Sequence, residues 1–283
     1  EHDVHDADAA DQQRDAANAG QQNPECHGGL VELIDEVGLV ADVEILRGAR
    51  LDPMSLPQER NDAGLNRRQV GPVPCLVKPL TRRALRRPNW PMPLNRLVSA
   101  LTLPFVQIIA RSKPLRAEIV PIRRFGEEFT LLWKRLAPKF EFAVKRDTAY
   151  LNWKFVDPPH VRYSAVALRR GNDLHGYAIY RHTQEPRGRV TLLVDLLADP
   201  DDDLGVKTIL RWIDSEARAA YSDKIRVFAM HEGFRRIIKR SGYFQVKSTM
   251  EFTAKINAVE LPPDFYANTG KWHVTLGDSD QDR

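Results

Sequence analysis

The stretch VTLLVDLLADPDDDLGVKTILRWIDSEARAAYSDKIRVFAM, Val190–Met230, decides the fold. Its opening VTLLVDLLA is apolar on both faces, the pattern of a strand in the middle of a sheet, where both faces are covered. Asp201, Asp202 and Asp203 then mark a helix start, since short acidic side chains accept from the free N–H groups there. Val206, Ile209, Leu210, Ile213, Ala217 and Ala220 recur three and four apart, so the helix runs to about Ser222 with one buried face. Ile225–Met230 is a second short buried strand. The motif is strand, helix, strand around one core.

Downstream, Glu232–Arg240 reads as a basic helix stopped by Gly242, Phe244–Lys255 as a strand, and Trp272–Leu276 as a last strand ending in Gly277, Asp278, Ser279 and Asp280. Upstream, Tyr163–Arg169 and His175–His182 flank the turn residues Gly171, Asn172 and Asp173, a hairpin pattern. Tyr163, Tyr177 and Tyr180 alternate on it as sheet-packing residues. Before the hairpin come two helices. Glu127–Leu136 places Phe129, Leu132, Trp133 and Leu136 on one face, and Arg146–Phe155 turns Ala149, Tyr150 and Trp153 toward a core and ends before Pro158 and Pro159. Trp153 and Trp272 are expected to be core anchors. The fold class is α/β, with a mixed central sheet flanked by helices.

This order of elements, together with RDTAYLNWKF (Arg146–Phe155), HGYAIY (His175–Tyr180), LLVDLL (Leu192–Leu197), SGYF (Ser241–Phe244) and WHVTLGDSD (Trp272–Asp280), resembles the GNAT superfamily of acyl-CoA-dependent acyltransferases. More narrowly, these pieces resemble the C-terminal half of bacterial tandem-GNAT proteins. The resemblance implies acetyl-CoA or another acyl-CoA as cofactor and a small-molecule amine, such as an amino sugar, as acceptor. It also implies a missing N-terminal GNAT half as partner. The alternative is a catalytically inactive half that completes a tandem fold.

GNAT enzymes hold pyrophosphate on backbone N–H groups where the central strand meets its helix, an anion site made by free donors and the helix dipole. The resemblance places cofactor contacts at Leu196, Leu204, Gly205, Val206 and Lys207. The turn departs from the family pattern. Gly205 is the one glycine kept, Asp202 stands where Arg or Gln is usual, and carboxylates at ~4 Å from a phosphate cost on the order of 4 kcal/mol per unit pair before screening. Capping of the helix explains the same acidity without a ligand. The usual general-acid Tyr falls on Ile238, which carries no proton to give. Asp195 and His231 are the candidate catalytic residues. For Asp195 the other reading is a pair with a basic neighbour such as Arg189, or a cap on a buried backbone group. For His231 it is a structural cap at a strand end. Asp278 and Asp280 suit an acidic acceptor rim or a weak metal chelate; no metal site is expected, and Cys26 and Cys75 have no ligand-spaced partners.

Charge divides the chain. Residues 1–70 hold 6 basic and 15 acidic side chains, 71–160 hold 17 and 6, and 161–283 hold 19 and 17. Glu1–Gly29 has almost no large apolar residue and is expected to be disordered. Leu30–Leu46 fits a short amphipathic helix or a strand pair, and the five prolines of Leu51–Pro79 fit a linker. Residues 1–79 are therefore expected to be a leader and linker, with Glu1 to about Val70 foreign to the domain, as in a truncated or mis-started reading of a longer gene. Residues 80–118 are expected to be a basic connecting segment and 119–283 the GNAT-like domain. Arg82, Arg83, Arg86, Arg87 and Arg96 lead into apolar Leu97–Ala110, read as a buried helix or a pair of short ones. A nucleic acid or anionic membrane is the competing reading of those arginines, but no aromatic interleaving supports nucleic acid. The apolar run is too short to span a membrane, no signal segment is legible, and the expected location is cytoplasmic.

Overall fold

In the computed structural model, which describes residues 30–32, 40–44, 67–86, 91–109, 117–256 and 268–279, two short antiparallel strands come first, β1 (Leu30–Glu32) and β2 (Val40–Glu44). Next come β3 (Arg67–Pro72), β4 (Cys75–Pro79), α1 (Arg82–Leu85) and α2 (Met92–Ile109). β5 (Glu118–Ile122), α3 (Glu127–Leu136), β6 (Phe142–Ala143) and α4 (Thr148–Phe155) lead into the meander of β7 (Ser164–Arg170), β8 (Asp173–Glu185) and β9 (Gly188–Ala198). α5 (Asp203–Ala219) then crosses to β10 (Lys224–Phe228), which lies parallel to β9. α6 (Glu232–Arg240), β11 (Phe244–Val246), β12 (Glu251–Ile256) and β13 (Trp272–His273) follow.

Among the described residues the main sheet has seven strands in the order β11, β4, β10, β9, β8, β7, β5. β9 is central and buried on both faces, as its apolar run requires. Tyr177 meets the rings of Phe125 and Phe129, on and before α3. Tyr180, of opposite parity on β8, donates to Glu216 of α5 at 3.0 Å. Alternation along the strand thus puts α3 and α5 on opposite faces of the sheet. α5 buries Val206, Ile209, Leu210, Ile213 and Ala217, the face its spacing predicts, and α6 spans the expected residues before Gly242, whose φ of 87° ends it cheaply.

Several expectations give way. Part of the proline-rich linker is sheet: β4 lies between β10 and β11 and pairs antiparallel with both. Its Leu76 is fully buried, the Leu80 N–H donates to the Asp223 carbonyl at 2.8 Å, and buried Lys78 reaches Asp214 of α5 at 3.3 Å. Prolines at strand ends, here Pro72, Pro74 and Pro79, break no ladder, so they delimit the two strands. The strand read as Phe244–Lys255 is split. β11 joins the main sheet, while β12 pairs with β2 and β3 in a second sheet of order β1, β2, β12, β3. The expected final strand of Trp272–Leu276 shortens to β13, parallel to β6, with a 3-10 turn at Leu276–Asp278.

In α4 the buried residues are Leu151, Asn152 and Phe155, while Ala149 and Trp153 are exposed; Trp153 is no core anchor, whereas Trp272 is fully buried. Arg146 precedes α4, which Asp147 caps by accepting from the Tyr150 N–H at 2.8 Å. The segment read as a buried helix belongs to α2, whose Leu97 and Leu101 are exposed. The Glu1–Gly29 expectation, Cys26, Arg87 and Asp280 lie outside the described residues.

Candidate functional site

The turn after β9 is where the sequence places phosphate binding, and its own carboxylates take up its donors. Asp202 caps α5, its Oδ1 accepting from the Gly205 N–H at 3.0 Å. A Cβ built on Gly205 would lie 2.3 Å from Asp202 Oδ2, so the glycine is the room in which that carboxylate sits. Arg170 of β7 pairs with the same carboxylate. Lys207 turns back to Asp203 at 3.3 Å, and Arg240 of α6 reaches Asp203 at 3.4 Å. Lys139 pairs with Asp199 and Asp201 at 2.8 and 3.1 Å. A phosphate on the Gly205 N–H would have to displace Asp202. Of the remaining cofactor positions, Leu204 is exposed and Val206 is fully buried in the core.

Leu196 and Asp195 line the place where β9 and β10 part. Their strand register ends at Leu193 opposite Val227. The wedge beyond it is lined by Phe228, Phe234, Ile238, His273 and Thr275 and holds about 10 Å³, no more than one water. The C-terminal segment closes it: the Met230 N–H donates to the Val274 carbonyl at 3.1 Å, and Ala229 bridges Thr275.

Asp195 is fixed by a buried network. The pairing of β8 with β9 shifts by one residue around Val194, a bulge that sets Asp195 diagonal to Tyr177 on one sheet face. The Tyr177 hydroxyl donates to Asp195 at 2.8 Å and the Thr275 hydroxyl at 2.9 Å. Arg146 donates from Nε to Asp195 at 3.2 Å, from Nη2 to Asp195 at 3.1 Å and to Asp278 at 2.8 Å, and from Nη1 to the Val144 carbonyl at 2.7 Å. Asp278 also accepts from the Thr275 N–H at 2.8 Å. All three charged side chains are nearly inaccessible.

The titration behaviour follows from this geometry. Burial opposes the Arg146 charge, but Asp195 and then Asp278 outweigh it, so the guanidinium stays charged. Burial also opposes ionisation of Asp195, and Arg146 and the hydrogen bonds still hold its carboxyl below the usual carboxylate range. At Asp278 burial raises the pKa, Arg146 pulls it back, and Asp195 pushes it up again, leaving it raised. Asp195 is therefore an ionised structural anion whose accepting sites are filled. Its partner is Arg146, not Arg189, and Asp278 belongs to the same cluster instead of an acceptor rim or metal chelate. No group of three metal-ligating side chains occurs among the described residues.

His231 caps α6, its Nδ1 accepting from the Gly233 N–H at 3.2 Å, and packs edge-on to Phe140. Burial depresses its pKa. The reading of His231 as a cap is the one the geometry matches. Sequence reasoning quoted Arg146 and Asp278 within motif pieces but gave the arginine no role. The available signal was an Arg immediately before a helix-capping Asp.

His273 stacks on Phe140 at 4.6 Å between ring centres, and burial depresses its pKa well below the ordinary 6.5. Its Nε2 is buried without a partner. As pH falls below 6.5 the unfolded chain takes up protons that the native His273 refuses, so the native state loses stability in that window. His273→Phe is expected to flatten the fall in unfolding free energy below pH 6.5 by about 1.4 kcal/mol per pH unit, leaving the shares of His231 and His182. Urea unfolding at a series of pH values measures the slope, and an unchanged slope contradicts the assignment.

No family model and no curated protein matches this sequence. Among solved structures, the chain is similar to a GCN5-related N-acetyltransferase from Anabaena variabilis, with TM-score 0.44 and 10% identity over 66% of this chain. It spans 41% of that protein's length. A functionally unknown conserved protein from Staphylococcus epidermidis has TM-score 0.40 and 9% identity, covering 69% of this chain and 64% of that one. A GCN5-related N-acetyltransferase from Kribbella flavida has TM-score 0.38 and 12% identity, covering 68% and 61%.

Proposed function

We propose that this chain carries an acyltransferase-like α/β domain of the GNAT type that has lost acyl-CoA binding and acid–base chemistry, and that completes a larger assembly as its non-catalytic half. The proposed domain comprises residues 67–86 together with 117–256 and 268–279. The observation that carries the proposal is the Asp202 carboxylate on the Gly205 N–H, at the donor where a pyrophosphate would bind. The filled wedge and the Arg146-bound Asp195 agree with it. Ile238, fully buried, cannot protonate a leaving thiolate.

A second reading, acyl-CoA-dependent transfer to an amino sugar or other small amine, has one feature in its favour. Arg235, Arg236, Lys239 and Arg240, together with Glu232, line a shallow cavity of about 370 Å³ on α6, beside the acidic turn that Arg240 already contacts. Acetyl-CoA titration of the full chain by calorimetry separates the two. The expected result is no binding at millimolar ligand. Micromolar binding overturns the proposal and assigns the phosphates to the α6 cations.

A further inference from the structure

The segment from Thr81 to Arg116 contains eight Arg and Lys residues and no carboxylate. Half of it is the 18-residue helix α2, about 27 Å long at the usual rise. Its Leu94, Leu97 and Leu101 follow the spacing of one helical face, and they stand 41%, 59% and 68% exposed. Leucines this open are normally placed against something. Arg96 of α2 is exposed, and Arg82, Arg83 and Arg86 are exposed on and just after α1, which packs against α2. The helix is not long and apolar enough to cross a membrane.

We infer that α2, with the arginines of α1, is an interfacial anchor that lies flat on an anionic lipid bilayer. Exposed leucines on one helical face, with cations on the same segment and no carboxylate, is a composition that buries leucines at the acyl boundary while arginines meet lipid phosphates. The charge decides the occupant. A protein partner or a second copy would place the exposed Arg82, Arg83, Arg86 and Arg96 against surfaces of mixed sign, and a second copy would bring the same charge against itself. This inference is independent of whether the domain binds acyl-CoA.

Flotation of the full chain with phosphatidylglycerol-containing and with pure phosphatidylcholine vesicles tests it. The chain is expected to float with the anionic vesicles only, and less so as salt is raised. Arg82→Glu/Arg83→Glu/Arg86→Glu is expected to weaken partitioning by on the order of a hundredfold or more, since each basic residue near the surface contributes roughly fivefold. Leu97→Glu/Leu101→Glu is expected to abolish it. Both sets change exposed residues, and an unaltered circular dichroism spectrum verifies the fold. Absence of the folded chain from the anionic vesicle fraction overturns the inference, as does flotation indifferent to either set. So does a self-associated form in lipid-free solution that Leu97→Glu/Leu101→Glu dissolves, because a second copy then covers the stripe.

Discussion

Arg146→Met is expected to lower the unfolding free energy by about 3–5 kcal/mol at neutral pH, enough to leave much of the protein unfolded. The substitution keeps the volume but removes the cation that Asp195 and Asp278 share, with five donor contacts to their oxygens. Two carboxylates then remain buried without a counter-ion, and each favours its protonated form. Their native pKa values move above the 3.8 of a free aspartate, so the native state binds more protons than the unfolded chain. The variant should therefore recover stability as pH falls toward that value. The parent behaves oppositely at Asp195, whose depressed pKa makes its contribution vanish as pH falls below 3.8. Arg146→Met/Asp195→Asn/Asp278→Asn should regain part of the loss at neutral pH. Guanidinium unfolding of the three proteins measures this, and a loss under about 1 kcal/mol in the single variant contradicts a shared-cation role.

A chain that begins at Ile119 is expected not to fold, whereas one that begins at Arg67 should. The first lacks β4, and with it the partner strand of both β10 and β11. It also loses Val73, Cys75, Leu76 and Leu80 from the core. At roughly 1.5–3 kcal/mol for each large apolar side chain, that burial is comparable to the whole stability of a domain. Two open strand edges would in addition invite aggregation. The buried Cys75 thiol, its pKa pushed up to about 11 by burial, belongs to this core and is not a nucleophile. Size-exclusion chromatography and a thermal scan distinguish the outcomes. A monomer with a cooperative transition from the shorter chain would show that β4 is dispensable.

The strand, helix and strand of Val190–Met230 were legible because their signals are local. An apolar run and a spacing of three and four residues state burial and handedness without reference to the rest of the chain. The same holds for α6 and for the capping role of Asp202, which explains a triplet of acids that a phosphate site does not. Gly205 illustrates the boundary. The sequence shows a glycine at the start of a helix, and only the fold shows that Asp202 fills the space it leaves.

Composition misled where packing overrode it. Five prolines suggested a linker at Leu51–Pro79, but four residues between two of them, Cys75–Lys78, are enough for a strand once β10 and β11 supply both edges. Trp153 looked like a core anchor, and one turn of α4 in a different register put Leu151 and Phe155 inside. The apolar run in α2 looked buried because periodicity reports an apolar face and not what covers it.

By itself, then, the sequence determined the α/β class, the central strand with its crossover helix, and the acidic cap of that helix, all consequences of neighbours within a few residues of one another. Tertiary structure alone decided that Arg146 joins Asp195 across 49 positions and Asp278 across 132, that an N-terminal strand enters the sheet beside β10, and that the segment after the last strand closes the wedge. The reason is physical: a buried charge must find an opposite charge and a strand edge a partner, and neither requirement says where along the chain the partner lies.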